Sequence, residues 1–215
     1  MIAGQLLAGA VGYLIGMIPT AWILYRIVGG DDLTKMGSGN VGARNVYDVT
    51  GKKWLGILVM VLDALKGVAA VLVGRLIGAD DFMTMAWCAV MSVVGHNFNI
   101  LLKGKGGRGL ATAMGVCLAA NPMFLVTWWL MYLMGYYVIR RNVHVGSMTA
   151  TLASAVLMFS VPDLALIEFT LMPVDDPFAV RLFAAALSVP IFIRHIGPIR
   201  ELVQSIKTED AEGDA

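Results

Sequence analysis

The chain has 215 residues, of which 58% are hydrophobic and 14% are charged, whereas about 25% of the residues of an ordinary soluble domain are charged. Mean hydropathy is +0.76, and the apolar runs are too long for the core of a soluble protein. The net charge of +1 provides no bulk attraction for nucleic acid, so no nucleic-acid partner is expected. Both cysteines lie in apolar runs, which argues against a disulfide framework or a cysteine metal site.

The apolar runs predict an all-α integral membrane protein, because a bilayer core needs about 20 apolar residues per helix. The N-terminal run lacks a basic leader segment and is predicted to be a retained first span rather than a signal peptide. The fourth run is short and starts inside a glycine-rich loop. Seven transmembrane helices are expected, at residues 4–27, 54–77, 82–102, 109–120, 122–139, 147–162 and 177–194.

The distribution of positive charge predicts the orientation of these spans. Of the 16 lysines and arginines, 13 fall in alternate connections and in the C-terminal tail, whereas the other connections are acidic. Because basic connections remain in the cytoplasm, we expect the N-terminus outside and the C-terminus in the cytoplasm. Residues 1–206 are expected to form a single membrane domain, followed by a short acidic, disordered tail at 207–215.

A glycine-rich connection, MGSGNVGARN, follows the first span. Converging backbone N–H groups, polar side-chain donors and a helix that begins near Gly42 are typical of a phosphate-binding site. A flexible surface loop is the alternative. The candidate functional residues of this first loop are Gly37, Ser38, Gly39, Asn40, Arg44 and Asn45.

A second glycine-rich connection, KGKGGRGLATAMG, covers residues 103–115 and runs into a helix-forming stretch. It lacks the Walker A pattern, so nucleotide hydrolysis is not indicated. A plain cytoplasmic loop would explain its cations but not its four closely spaced glycines. The candidates in this second loop are Lys105, Gly106, Gly107 and Arg108.

Several polar residues lie inside or at the ends of the spans. Asp63 and Lys66 are intramembrane charges three residues apart, either a functional pair or a structural pair on one helix face. His96 precedes the second loop, and Ser147 and His195 lie near other cytoplasmic span ends. Each of these three lines a polar chamber or is an ordinary interfacial residue.

Two phosphate-type loops on one membrane face indicate an enzyme that joins a soluble phosphorylated molecule to a lipidic one. Neither a Ser-His-Asp spacing nor a metal-ligand cluster is present in the sequence, so no metal is expected. Five stretches of the sequence carry a family resemblance: GYLIGMIPTAWIL, GSGNVGARNV, TGKKWLGILVMVLDALKG, GHNFNILLKGKGGRGLATAMG and RNVHVGS. In order and spacing they resemble the bacterial acyl-phosphate:glycerol-3-phosphate acyltransferase family of the PlsY type. The resemblance covers residues 10–150, about two thirds of the chain.

The resemblance implies seven helices in the cell (inner) membrane, with the active site on the cytoplasmic face. It implies transfer of a fatty acyl group from acyl phosphate to the sn-1 hydroxyl of glycerol 3-phosphate, giving lysophosphatidic acid and phosphate as the first step of phospholipid synthesis. Its partners would be these two substrates and membrane lipids, without a cofactor, a metal, acyl-CoA or acyl carrier protein. The oligomeric state stays open, and a monomer is compatible with it.

Residue roles carry over where the motifs match. The attacking hydroxyl would lose its proton to His195 or to a substrate phosphate oxygen. The resemblance implies catalytic roles for Ser38, Lys105, Arg108 and His195, and substrate-binding roles for Gly37, Gly39, Asn40, Arg44, Asn45, His96, Gly106, Gly107 and Ser147.

Three departures from the family pattern leave other interpretations open. Arg44 replaces a threonine and Asp48 replaces an arginine, the tail reads HIGPI instead of HRENI, and the connection at 162–177 is unlike the family. A divergent or inactive paralogue that acts on another phosphorylated acceptor is one alternative. An anion transporter is another, although the sequence shows no internal repeat and its polar residues cluster at one membrane edge, with Asp63 and Lys66 as the exception.

Arg44 and Asp48 would lie one turn apart on a helix that begins near Gly42. Arg44 would then reach the phosphate that the family's later arginine holds, with Asp48 as its partner. This hypothesis expects Arg44→Ala to raise the KM for glycerol 3-phosphate more than the KM for acyl phosphate.

Overall fold

The computed structural model describes the backbone of residues 2–213 and the side chains through residue 208. Every regular element in that part of the chain is helical. A π-helical turn, Gly135–Ile139, extends α7, and short 3-10 turns occupy Leu33–Lys35 and Ile100–Leu102. The helices are α1 (Ile2–Gly16), α2 (Thr20–Ile27), α3 (Ala43–Thr50), α4 (Lys53–Gly78), α5 (Phe82–Asn97), α6 (Leu110–Ala120), α7 (Pro122–Met134), α8 (Val143–Leu157), α9 (Asp163–Glu168) and α10 (Pro177–Gly213).

Five helical stretches of the described chain are long and apolar enough to cross a membrane. α6 and α8 are apolar but shorter; the 15 residues of α8 span about 22 Å at 1.5 Å per residue, against a hydrocarbon core of about 30 Å. The all-α, multi-pass class is confirmed, and the count of seven crossings stays a prediction. The five stretches are Ile2–Ile27, Lys53–Gly78, Phe82–Leu102, Pro122–Ile139 and Pro177–Thr208.

The first predicted span is two helices rather than one, because the chain breaks between α1 and α2. Pro19 has no N–H to donate and its ring disfavours a continuous helix. The break frees two carbonyl groups, and side chains from other helices bind them. Asn99 donates to the Met17 carbonyl at 2.6 Å, and Lys66 donates to the Ile18 carbonyl at 3.0 Å.

Glycines allow the central helices to cross at close range. A Cβ at Gly12 or Gly16 of α1 would fall on the backbone of Cys88 or Ser92 of α5. Gly115 of α6 lies equally close to α4. Small residues at such crossings let backbones approach, which is how helices associate in lipid, where the hydrophobic effect does not drive them together. α1, α4, α5 and α6 therefore form a tight central group.

The remaining helices surround this group. α7 and α8 pack on each other, and α10 packs on α5 and α8. α10 contains Pro190 and Pro198 and continues beyond the predicted span of 177–194. Its helical backbone also includes residues 207–213 of the predicted disordered tail, and residues 214–215 lie outside the described part of the chain.

Candidate functional site

Residues of the two polar loops line two neighbouring clefts. The polar cleft, of about 630 Å³, lies between the first loop, the second loop and α10. Its walls carry cations and residues of both glycine-rich loops. It is lined by Thr34, Ser38, Gly39, Asn40, Phe98, Lys105, Arg108, Ile193, Arg194, Gly197, Pro198 and Glu201.

The aromatic cleft, of about 260 Å³, lies between α3, α6, α7, α8 and α10. Asn40 and Arg108 line both clefts, so the two spaces meet at these side chains. Three aromatic residues of α7 form much of its wall. Its other lining residues include Arg44, Met60, Asp63, His96, Leu110, Met114, Trp128, Trp129, Tyr132, His144, Ser147 and His195.

Asn45 shapes the first loop from within. Its side-chain oxygen accepts a hydrogen bond from the Ser38 amide, and its side-chain nitrogen donates to the Met36 carbonyl, both at 3.0 Å. Asn45 is buried and lines neither cleft. Gly37 and Gly39 have φ values of 57° and 69°, which other residues adopt only with strain. The predicted loop is therefore an ordered turn, with Asn45 inside it.

The second loop is held by its own backbone. The Gly107 amide donates to the His96 carbonyl at 3.0 Å, and the Val41 amide of the first loop donates to the Gly106 carbonyl at 3.4 Å. Gly106 and Gly107 are buried, and a side chain at Gly107 would collide with the His96 ring. Both glycines face a small crevice beside the α1–α2 break, outside the two clefts.

More positive than negative side chains lie near Arg108. Partial burial, followed by the nearby cations Arg44 and Arg194, lowers the pKa of the Arg108 guanidinium from its ordinary value, and only Glu201 opposes this shift. A field of this sign at the junction of two clefts stabilises an anion there. The junction is therefore suited to a phosphate group.

His195 presents one free ring nitrogen. Its Nδ1 lies 2.8 Å from the Ile191 carbonyl oxygen, and because a carbonyl only accepts, Nδ1 carries the hydrogen. The neutral ring then has an acceptor lone pair on Nε2, a buried atom without a hydrogen-bond partner in the described chain. The Ser147 hydroxyl is also buried and unpartnered. Both side chains line the aromatic cleft.

A buried polar cluster adjoins the aromatic cleft, and two of its members, Asp63 and His96, form part of the cleft wall. Lys66 Nζ lies 2.8 Å from Asp63 Oδ1, which confirms the predicted pairing on one helix face. Thr20 of α2 donates to the same carboxylate oxygen, and His96 Nδ1 lies 3.6 Å from it. The cluster joins α2, α4 and α5 below the glycine loops.

Arg44 and Asp48 lie as their spacing predicts. α3 starts at Ala43 with Gly42 as its N-cap, and Arg44 Nε is 3.6 Å from Asp48 Oδ2. Both side chains are more than half exposed, so the pair contributes little stability. Arg44 lines the aromatic cleft and not the polar cleft.

The structure also brings residues to the clefts that the sequence analysis missed. Arg194, at the end of the predicted last span, is not among the sequence candidates, although it directly precedes His195. Trp128 and Tyr132 stack with ring centroids 5.4 Å apart, and their four-residue spacing was the available signal. The described residues contain no group of three or more histidines, cysteines or carboxylates arranged to hold a metal.

Known proteins share this architecture and these motifs. The sequence profile of the family described as glycerol-3-phosphate acyltransferase matches residues 6–205. Glycerol-3-phosphate acyltransferase 2 of Moorella thermoacetica is 41% identical over 153 residues, 71% of this chain and 77% of that protein. Glycerol-3-phosphate acyltransferase of Anaeromyxobacter sp. (strain K) is 36% identical over 206 residues, 94% of this chain and 95% of that protein.

Solved structures agree with the sequence comparison. The crystal structure of PlsY (YgiH), an integral membrane glycerol 3-phosphate acyltransferase, in its glycerol 3-phosphate form has a TM-score of 0.75 and 30% identity, covering 94% of this chain and 92% of that one. The lysophosphatidic acid form has a TM-score of 0.74. The fold and the site thus define an integral membrane acyltransferase. The chain belongs to the glycerol-3-phosphate acyltransferase family.

Proposed function

We propose that this protein transfers a fatty acyl group from acyl phosphate to the sn-1 hydroxyl of glycerol 3-phosphate and releases phosphate. The observation that carries this proposal is the meeting of a polar and a partly apolar cleft at Asn40 and Arg108. Transfer between a soluble and a lipidic substrate requires that both reacting groups share one place. Cations at that place are suited to bind and neutralise phosphate.

We assign glycerol 3-phosphate to the polar cleft. The cleft has room for a small polyol phosphate, and Lys105, Arg108 and Arg194 supply positive charge at its walls. Ser38 and Asn40 add neutral donors from the first loop. The glycerol-3-phosphate form of the related crystal structure supports this substrate.

We assign acyl phosphate to the aromatic cleft, with its phosphate near Arg44 and Arg108. Leu110, Met114 and Trp128 line this cleft and also line an adjoining apolar cavity between α6, α7, α8 and α10. A fatty chain that follows this surface would exchange lipid contacts for apolar side chains, while its anionic end stays at the basic junction. The arrangement separates the two ends of the donor by polarity.

The chemistry then needs orientation and charge neutralisation. The sn-1 oxygen forms a bond to the acyl carbonyl carbon, the bond from that carbon to the phosphate oxygen breaks, and phosphate leaves. His195 Nε2 is the favoured acceptor for the hydroxyl proton, because it is buried, unpartnered and on the cleft wall. Because phosphate is a good leaving group, positioning and electrostatic stabilisation supply most of the catalysis.

The proposed orientation places both loops on the cytoplasmic face of the cell membrane. The C-terminus is also cytoplasmic, the N-terminus is outside, and α6 and α8 complete seven crossings as tilted or locally short spans. Short spans are accommodated by bilayer thinning or neighbouring helices. We propose one membrane domain over residues 1–206 that works without a cofactor, with a monomer as the simplest form.

Purified protein incubated with palmitoyl phosphate and glycerol 3-phosphate tests the proposal. Phosphate and lysophosphatidic acid should form together, and omission of glycerol 3-phosphate should reduce phosphate release to the rate of spontaneous donor hydrolysis. Omission is the matched control for spontaneous hydrolysis of the donor. Absence of lysophosphatidic acid from folded, substrate-binding protein would contradict the proposal and favour a paralogue with another acceptor.

A transport activity gives a different result. Proteoliposomes that contain the protein should not accumulate labelled glycerol 3-phosphate when acyl phosphate is absent. Accumulation above that of protein-free vesicles would favour an anion transporter.

A further inference from the structure

Arg194 ties α10 to the second glycine loop. Its Nε donates to the Gly107 carbonyl at 3.0 Å, and its Nη2 donates to the Gly106 carbonyl at 2.6 Å. The guanidinium carbon also lies 5.9 Å from the centroid of the Phe98 ring. A single side chain on the wall of the polar cleft therefore holds two successive carbonyl groups.

These two bonds fix the planes of two peptide groups, because the N–H and C=O of a trans peptide point in opposite directions. The Gly106–Gly107 peptide is held on both sides, with its carbonyl on Arg194 and its N–H on the His96 carbonyl. The carbonyl of the next peptide also bonds to Arg194, so the Arg108 N–H points away from α10. The backbone is thus oriented up to the residue that lines both clefts.

We propose that Arg194 is a positioning residue, which orients the Gly106–Arg108 turn and thereby sets the Arg108 guanidinium at the junction of the two clefts. This inference rests on the proposed acyl transfer for its kinetic consequences. Adjacent glycines have the largest conformational freedom of any residue pair, so this turn gains order from a restraint beyond its backbone bonds to His96 and Val41. Arg194 supplies it from the residue next to His195 on α10.

The turn requires the hydrogen-bonding geometry of the Arg194 guanidinium group in addition to its positive charge. Arginine presents several N–H donors in a rigid planar fork, whereas lysine presents one compact ammonium on a flexible chain. Arg194→Lys keeps the positive charge of the polar cleft, but its single ammonium nitrogen cannot reproduce the planar geometry in which Nε and Nη2 each bind one carbonyl group. This variant therefore separates positioning from electrostatic attraction.

Steady-state kinetics of phosphate release test the role of the fork. Arg194→Ala should lower kcat/KM by about tenfold to a hundredfold, as expected when charge-assisted hydrogen bonds are lost. Arg194→Lys should lose most of the same kcat, and ethylguanidinium, but not ethylammonium, should restore part of the activity of Arg194→Ala. Arg200→Ala, an exposed change on the same helix, is the matched control and should behave as wild type. Wild-type kcat in Arg194→Lys would overturn the proposal.

Hydrogen exchange measures the turn independently of activity. The amides of residues 106–110 should exchange faster in Arg194→Ala than in wild type, without substrate present, and Arg200→Ala should leave them unchanged. Wild-type protein that does not form lysophosphatidic acid would defeat the proposed function alone, because the exchange comparison still reports on the turn. Unchanged exchange in Arg194→Ala would overturn the positioning role.

Discussion

His195 is the residue whose chemistry the structure specifies most closely. Its Nδ1 hydrogen is occupied by the Ile191 carbonyl, which leaves Nε2 to accept a proton. His195→Asn should lower kcat by about a hundredfold to ten-thousandfold, the usual contribution of a general base. The measurement is lysophosphatidic acid formation at saturating concentrations of both substrates.

Substrate binding and thermal unfolding of His195→Asn are the controls for this variant, since an intact fold should keep both near wild type. A kcat within twofold of wild type would exclude His195 as the base. A phosphate oxygen of the substrate, the alternative that the sequence left open, would then be the proton acceptor.

For Arg44, the proposed substrate assignment and the sequence lead to different expectations. The sequence placed its effect on glycerol 3-phosphate, but the side chain lines the aromatic cleft assigned to the donor. Arg44→Ala should therefore raise the KM for palmitoyl phosphate by about tenfold, the loss expected for one charge-assisted contact, with a smaller change for glycerol 3-phosphate. Steady-state titration of each substrate measures the two effects.

Asp48→Asn is the matched control for Arg44→Ala, because it removes the ion pair but keeps the Arg44 charge. The pair is largely exposed, so its loss should leave thermal stability nearly unchanged. If only the KM for glycerol 3-phosphate rises in Arg44→Ala, the expectation from the sequence is correct and the donor assignment fails.

At the scale of helices, the close crossing of α1 and α5 depends on glycines, which have no side chain at the contact. Gly16→Ala should destabilise the protein by about 1–3 kcal/mol, because a new Cβ would overlap the Ser92 backbone and the added volume forces the helices apart. Gly4→Ala is the matched control, since it lies on the same helix with no neighbour within 4 Å. Thermal unfolding in detergent compares the two, and equal midpoints would show that the crossing is not tightly packed.

The buried cluster of α2, α4 and α5 makes a separate prediction. Lys66 and Asp63 are at most 6% exposed, and removal of one member of a buried pair costs about 3–5 kcal/mol. Lys66→Met should lower the unfolding midpoint strongly, and the double variant Lys66→Met with Asp63→Asn should recover part of the loss. Additive losses in this double-mutant cycle would show that the pair is not coupled.

The sequence predicts a helix well where a local pattern, such as a long apolar run, determines it. Long apolar runs located most of the helices to within a few residues, although α10 continues well beyond the predicted end at residue 194, and the four-residue spacing of Arg44 and Asp48 predicted their contact. The break at Pro19 was missed although a proline inside an apolar run is a signal for it, and the donors Asn99 and Lys66, which bind the carbonyl groups freed there, are too distant in sequence to be predicted. The inward role of Asn45 was missed for a similar reason, since a motif shows that a residue matters but not which way it faces.

At the scale of the whole molecule, the proposed orientation in the membrane rests on 13 of the 16 lysines and arginines, which lie on one predicted face. Cys88 and Cys117 are buried, so single introduced cysteines report on topology without removal of the native ones. Asp175→Cys lies in an exposed connection predicted to be outside, and Ser205→Cys lies on the exposed C-terminal part of α10. In spheroplasts, a membrane-impermeant maleimide should label Asp175→Cys directly, and should label Ser205→Cys only after permeabilisation. Labelling of both positions from outside would show that the tail does not lie in the cytoplasm. The tail would then not share the predicted cytoplasmic face of the first loop, on which the two-substrate site depends.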